Sequence, residues 1–125
     1  MDNILTSEKS LETNEEKVFD IRERTFAFAV RIVKLCQYLE KHSNLSKSLI
    51  EQLIKAGTSV GANLEEATAG QSRADFAHKN SISLKEARET NYWLRLILAT
   101  TDFKQNIAQG IKELEIENEN WRSRY

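Results

Sequence analysis

GTSVGANLEEATAGQSRADFAHKNSISLKEARETNYWLRLIL, residues Gly57 to Leu98, reads as two helices joined by a short turn. Leading into it and through its first half, Leu49, Leu53, Val60, Leu64 and Ala67 recur at three-, four- and seven-residue intervals, which gathers them on one helical face. In the second half Leu84, Ala87, Leu94 and Leu98 form one stripe, and Ile82, Trp93 and Ile97 form another beside it. Between the two, Gly70 suits the left-handed position that follows a helix, and Ser72-x-x-Asp75 has the form of a capping box opening the next one. Two apolar-faced helices with so short a connection pack antiparallel.

Gly57 and Gly61 lie four apart inside the first of these helices, where each costs about 1 kcal/mol relative to alanine. With the chain reversing at Gly70 and Gln71, Gly57 falls opposite Leu84 and Gly61 opposite Asn80, so the glycines predict a close approach of backbones at that crossing. In the same register Lys79 comes within reach of Glu66. Together with Glu86, Glu89 and Asn91, this pair makes a candidate polar network that would fix register more than it stabilises.

Upstream, an apolar helix from about Ile21 to Lys41 carries two stripes, Phe26/Ala29/Val30/Val33/Cys36 and Phe28/Ile32/Leu35/Leu39. A bundle helix buries one arc, so the second stripe predicts contact with another subunit; Phe28, Ile32, Leu35 and Leu39 are the residues assigned to that contact. Asn44 or Ser46 caps the following helix. Residues 1–20 read as a mobile acidic tail and residues 21–125 as the helical domain. Downstream, Phe103, Ile107, Ile111, Leu114, Trp121 and Tyr125 have helical spacing, although ELEIENEN at Glu113 to Asn120 alternates like a strand and sets Glu113 against Glu117 and Glu115 against Glu119. Helix is the reading, because a lone strand has nothing to pair with.

The whole chain, 125 residues with no proline and 40% hydrophobic residues, fits one all-α domain, an antiparallel up-and-down four-helix bundle. With Cys36 alone there is no intrachain disulfide, no run reaches the ~18 apolar residues of a membrane span, and the N-terminus is not signal-like, so a cytoplasmic protein is expected. The net charge of −1 divides into −4 over residues 1–20, +4 over 21–104 and −1 over 105–125. A mildly basic body permits contact with phosphates without requiring it.

Chemistry-bearing patterns are few. There is no phosphate-cradling glycine loop and no CxxC, and Cys36 sits in an apolar stripe, so no catalytic residue and no cofactor is assigned. Glu65, Glu66 and Asp75-x-x-His78 resemble part of a di-iron set, but such sites use two carboxylate-histidine pairs and only one imperfect copy is present, so no metal site is assigned. The clearest binding signal is Arg24, Arg31, Lys34 and Lys41, spaced seven, three and seven apart on one face, which makes them the candidate RNA or DNA contacts. Aside from Tyr38, no aromatic is interleaved for stacking on bases.

The segments GTSVGANLEEA (57–67), SRADFAHK (72–79) and EARETNYWLRLI (86–97), with RTFAFAVRIVKL (24–35) before them, resemble the proteins encoded in intervening sequences of bacterial 23S ribosomal RNA genes, over about Arg24 to Phe103. The resemblance implies an up-and-down four-helix bundle, the ring-shaped homopentamers of the family's known members, and no established enzymatic activity, so a non-enzymatic protein is expected. It also includes the basic accessory protein of diversity-generating retroelements, thought to bind nucleic acid and a reverse transcriptase; this chain differs in being near neutral. Two functions follow as expectations. One is an oligomeric, RNA- or DNA-associated structural protein; the other is a protein-interaction scaffold without nucleic-acid contact.

Overall fold

The computed structural model describes residues 14–70 and 72–124. They form α1 (Asn14–His42), α2 (Lys47–Thr68), α3 (Arg73–Thr100) and α4 (Gln105–Arg124), with no strand among the described residues. The helix starting at Asn14 begins inside the segment read as tail. Residues 1–13, where most of the expected tail falls, lie outside the described residues, as do Gln71 and Tyr125. No described helix is long and apolar enough to cross a membrane.

The boundaries between α1 and α2 and between α2 and α3 have local causes. Ser46 is the cap of α2, its Oγ accepting from Leu49 N at 3.1 Å, and Ser72 caps α3 by accepting from Asp75 N at 3.1 Å. Lys41 and His42 place basic side chains in the last turn of α1, where the helix dipole favours them. The left-handed expectation for Gly70 is corrected: no described residue has positive φ. A Cβ on Gly70 would lie 3.1 Å from both the Ala67 carbonyl oxygen and Asp75 Cβ, so space rather than backbone conformation favours glycine there.

The core unites all four helices: Phe28, Ile32 and Leu39 of α1, Leu53, Val60 and Leu64 of α2, Ala87, Leu94 and Ile97 of α3, and Ile111, Leu114 and Trp121 of α4. Contact is most extensive between α2 and α3, then between α1 and α2; α4 lies mainly on α3 and meets α1 along a short line. Small α3 residues permit the first of these. Ser83, Ala87 and Thr90 are buried, and Ser83 Oγ donates to the Val60 carbonyl at 2.7 Å.

Gly57 and Gly61 do mark a close approach, but to α1 rather than to Leu84 and Asn80 of α3. A Cβ on Gly57 would meet Ile32 Cγ2 at 2.7 Å, and one on Gly61 would meet the Thr25 carbonyl oxygen at 3.3 Å. Farther along the same crossing Arg22 holds Glu65 through two bonds, Nε to Oε1 at 3.2 Å and Nη2 to Oε2 at 2.6 Å. Early α1 therefore meets late α2.

The segment ELEIENEN is helical, as periodicity favoured over alternation. Ile111, Leu114, Asn118 and Trp121 bury one face of α4. One member of each like-charged pair has a partner on another helix: Glu117 takes Arg31 at 2.8 Å, and Glu119 accepts from Asn91 Nδ2 at 3.0 Å.

Candidate interaction surfaces

The two stripes of α1 have distinct fates, and the assignment of subunit contact to Phe28, Ile32, Leu35 and Leu39 is corrected. Phe28, Ile32 and Leu39 are fully buried in the chain's own core and Leu35 is half-buried. Ile32 fits against Gly57, and Phe28 meets the Trp121 ring edge-to-face at 4.8 Å between centroids, which commits this stripe inward. The outward residues are those of the other stripe: Phe26 is 67% exposed and Val30 38%. Cys36, from that same stripe, is buried, and its burial pushes the thiol up to about 12, with Glu40 adding to the shift.

The four basic candidates do not make one free surface. The Arg24 guanidinium lies 5.9 Å from the centre of the Trp121 ring, and Arg31 donates to Glu117. Lys34 and Lys41 are exposed. Half of the stripe thus helps to hold α4, the acidic helix, beside α1.

The anticipated polar network forms in separate pieces. Lys79 Nζ reaches Glu66 Oε2 at 3.3 Å, as the hairpin register required. Glu86 stands apart; burial raises its pKa, the Glu89 charge adds, and a Ser59 hydrogen bond with Lys55 and Lys85 opposes. Asn91 belongs to a different cluster, centred on the fully buried Asn118, whose Nδ2 donates to the Ala87 carbonyl at 2.5 Å and to Asn91 Oδ1 at 2.8 Å. Asn118 had no signal in the sequence beyond occupying a core position between Leu114 and Trp121. With Glu65 on Arg22 and Glu66 on Lys79, the partial di-iron pattern is not gathered, and no group of three or more potential ligands occurs among the described residues.

A surface not singled out beforehand lies over α3 and α4, where Arg88, Tyr92 and Arg95 face Glu115, Ile116 and Glu119 across a groove of about 520 Å³. Tyr92 is 55% and Ile116 60% exposed. Burial raises the Glu115 pKa, against the charges of Arg95 and Lys112 and with that of Glu119. The spacing of Arg88, Tyr92 and Arg95, four then three, was visible in the sequence as a single helical face.

The comparisons agree with this fold. A solved structure from Bacteroides thetaiotaomicron, described as a protein of unknown function from the S23 ribosomal protein family, is 37% identical; the match covers 82% of this chain and 94% of that one, with a TM-score of 0.72. No curated protein matches the chain. The family model described as 23S rRNA-intervening sequence protein matches residues 17–119, and the chain belongs to that family.

Proposed function

We propose that the chain is a non-enzymatic, cytoplasmic, self-associating bundle that acts as a protein-interaction scaffold. The observation that carries this is the exposure of Phe26 and Val30 on a helix whose opposite face is already filled by the core. Large apolar residues grouped on an exposed helix face mark interaction sites in soluble proteins. The meeting of early α1 with late α2, and of Ser83 with Val60, supports the up-and-down arrangement. A closed ring of five is the assembly that the family resemblance implies, and a head-to-tail contact through one α1 face is compatible with such closure. Sedimentation velocity across a tenfold concentration series tests the reading: a species heavier than 14.4 kDa that persists on dilution is expected, and a monomer throughout refutes it.

Association with RNA or DNA is the second reading. Lys34 and Lys41 stay exposed, and Arg88, Tyr92 and Arg95 supply what the α1 stripe lacks, an exposed aromatic between two cations. Binding of a labelled single-stranded oligonucleotide that weakens steeply from about 50 to 200 mM salt supports it. Binding that Tyr92→Ala and Lys34→Glu leave unchanged counts against these contacts.

A further inference from the structure

We infer that the groove between α1 and α4 is a docking site for an amphipathic helix of another protein, whose apolar stripe is edged with carboxylates on the side that meets α1. The groove holds about 320 Å³; Leu35, Tyr38, Ile107 and Gly110 line it, and Arg31 and Lys34 form its α1 lip.

Gly110 is the first observation. Three of the chain's four glycines are accounted for by its own packing, since a Cβ on Gly57, Gly61 or Gly70 would press on a neighbour at 3.3 Å or closer. Around a Cβ on Gly110 there is nothing within 4 Å among the described residues. Apart from proline, glycine is the least favourable residue in a helix interior, yet here it sits inside α4 with no contact among the described residues to require it. A glycine bordering an apolar trough lets another helix backbone approach closely, as Gly57 and Gly61 let α2 approach α1.

Charge selects the occupant. Glu117, the acid beside this groove, is taken by Arg31 at 2.8 Å, while Lys34 is exposed and makes no ion pair among the described residues. Glu113 is exposed on α4 but does not line the groove. The α1 lip therefore favours a partner's carboxylates. Among the described residues, the chain's own exposed large apolar side chains are poorly matched to it: Phe26 and Val30 share their helix with Arg24, Arg31 and Lys34, Tyr92 sits between Arg88 and Arg95, and Ile116 is a single side chain. A second copy docking through its α1 or α3 face would set like charges together, so a different protein is the better fit.

The probe is a fluorescein-labelled helical peptide of about five turns, with leucines at alternating three- and four-residue spacing and glutamates along one edge; its counterpart carries lysine at those glutamate positions. Fluorescence anisotropy with the full chain is expected to show the glutamate peptide binding at least tenfold tighter. Gly110→Leu abolishes this binding while melting no lower than wild type, Gly110→Ala melts higher, and Lys34→Glu inverts the peptide preference. Phe26→Glu leaves binding intact, which separates this groove from the self-association surface. Equal binding of the two peptides, absence of binding to both, or undiminished binding to Gly110→Leu overturns the inference. So does a Gly110→Leu variant of lower assembled mass than wild type, because the groove is then occupied by a second copy.

Discussion

Alanine at Gly57 puts a Cβ 2.7 Å from Cγ2 and 2.9 Å from Cγ1 of Ile32, where carbon atoms prefer about 3.5–4.0 Å. Ile32 cannot swing aside easily, being β-branched, helical and fully buried. Overpacking of this kind costs about 1–3 kcal/mol, while exchanging glycine for alanine in a helix returns about 1 kcal/mol. Gly57→Ala is therefore expected to destabilise by up to about 2 kcal/mol. In an Ile32→Ala background the two clashing atoms are gone and the new methyl partly fills the cavity, so the same substitution should stabilise by about 1 kcal/mol. The difference is a coupling of roughly 1–3 kcal/mol, within the range found for residues in direct contact. Urea unfolding followed by far-ultraviolet circular dichroism, at one fixed protein concentration, measures all four corners of the cycle. Additivity within about 0.3 kcal/mol would refute the reasoning, because it would mean that Gly57 and Ile32 do not limit how closely α1 and α2 approach.

Asn118→Ala should destabilise by about 1–3 kcal/mol, since it leaves Asn91 Oδ1 without its donor in a buried setting; Asn91→Ala/Asn118→Leu together should cost less than the sum of the single changes in the same urea assay. Cys36 should resist a thiol reagent at pH 8 in the folded protein and react only after denaturation. Its raised folded pKa, about 12 against an ordinary 9.0, means that this group's stabilising contribution is complete below about pH 9 and declines as pH rises towards 12; Cys36→Ala should flatten that alkaline limb of a stability-against-pH curve. Leu39→Glu should lose helical circular dichroism altogether, whereas Val30→Glu should keep it, because the first residue is fully buried and the second 38% exposed.

Helix positions were legible wherever apolar residues recur at helical spacing without competition, as at Leu53, Val60, Leu64 and Ala67. The register of the α2–α3 hairpin was legible too, since the short turn at Gly70 ties Lys79 to Glu66 and leaves little freedom to slide. What periodicity cannot rank is two apolar stripes on one helix. Phe26/Val30 and Phe28/Ile32 look alike as sequence, and the choice between them is made by partners distant in the chain, Gly57 beneath Ile32 and Trp121 against Phe28. The glycine pair shows the same division. Its spacing announces a flat face, but whether α1 or α3 lies on that face depends on how all the helices pack. The basic stripe on α1 was visible, but its partial neutralisation was not, because Glu117 and Trp121 become its neighbours only when α4 folds back.

The central claim, self-association through the outward face of α1, is tested most directly by light scattering coupled to size exclusion on wild type and on Phe26→Glu/Val30→Glu at about 10 μM. The account predicts a wild-type mass that is a multiple of 14.4 kDa, five-fold by family resemblance, and a variant of lower mass with unchanged helical circular dichroism. A wild-type monomer, or a variant that assembles as the wild type does, would contradict it.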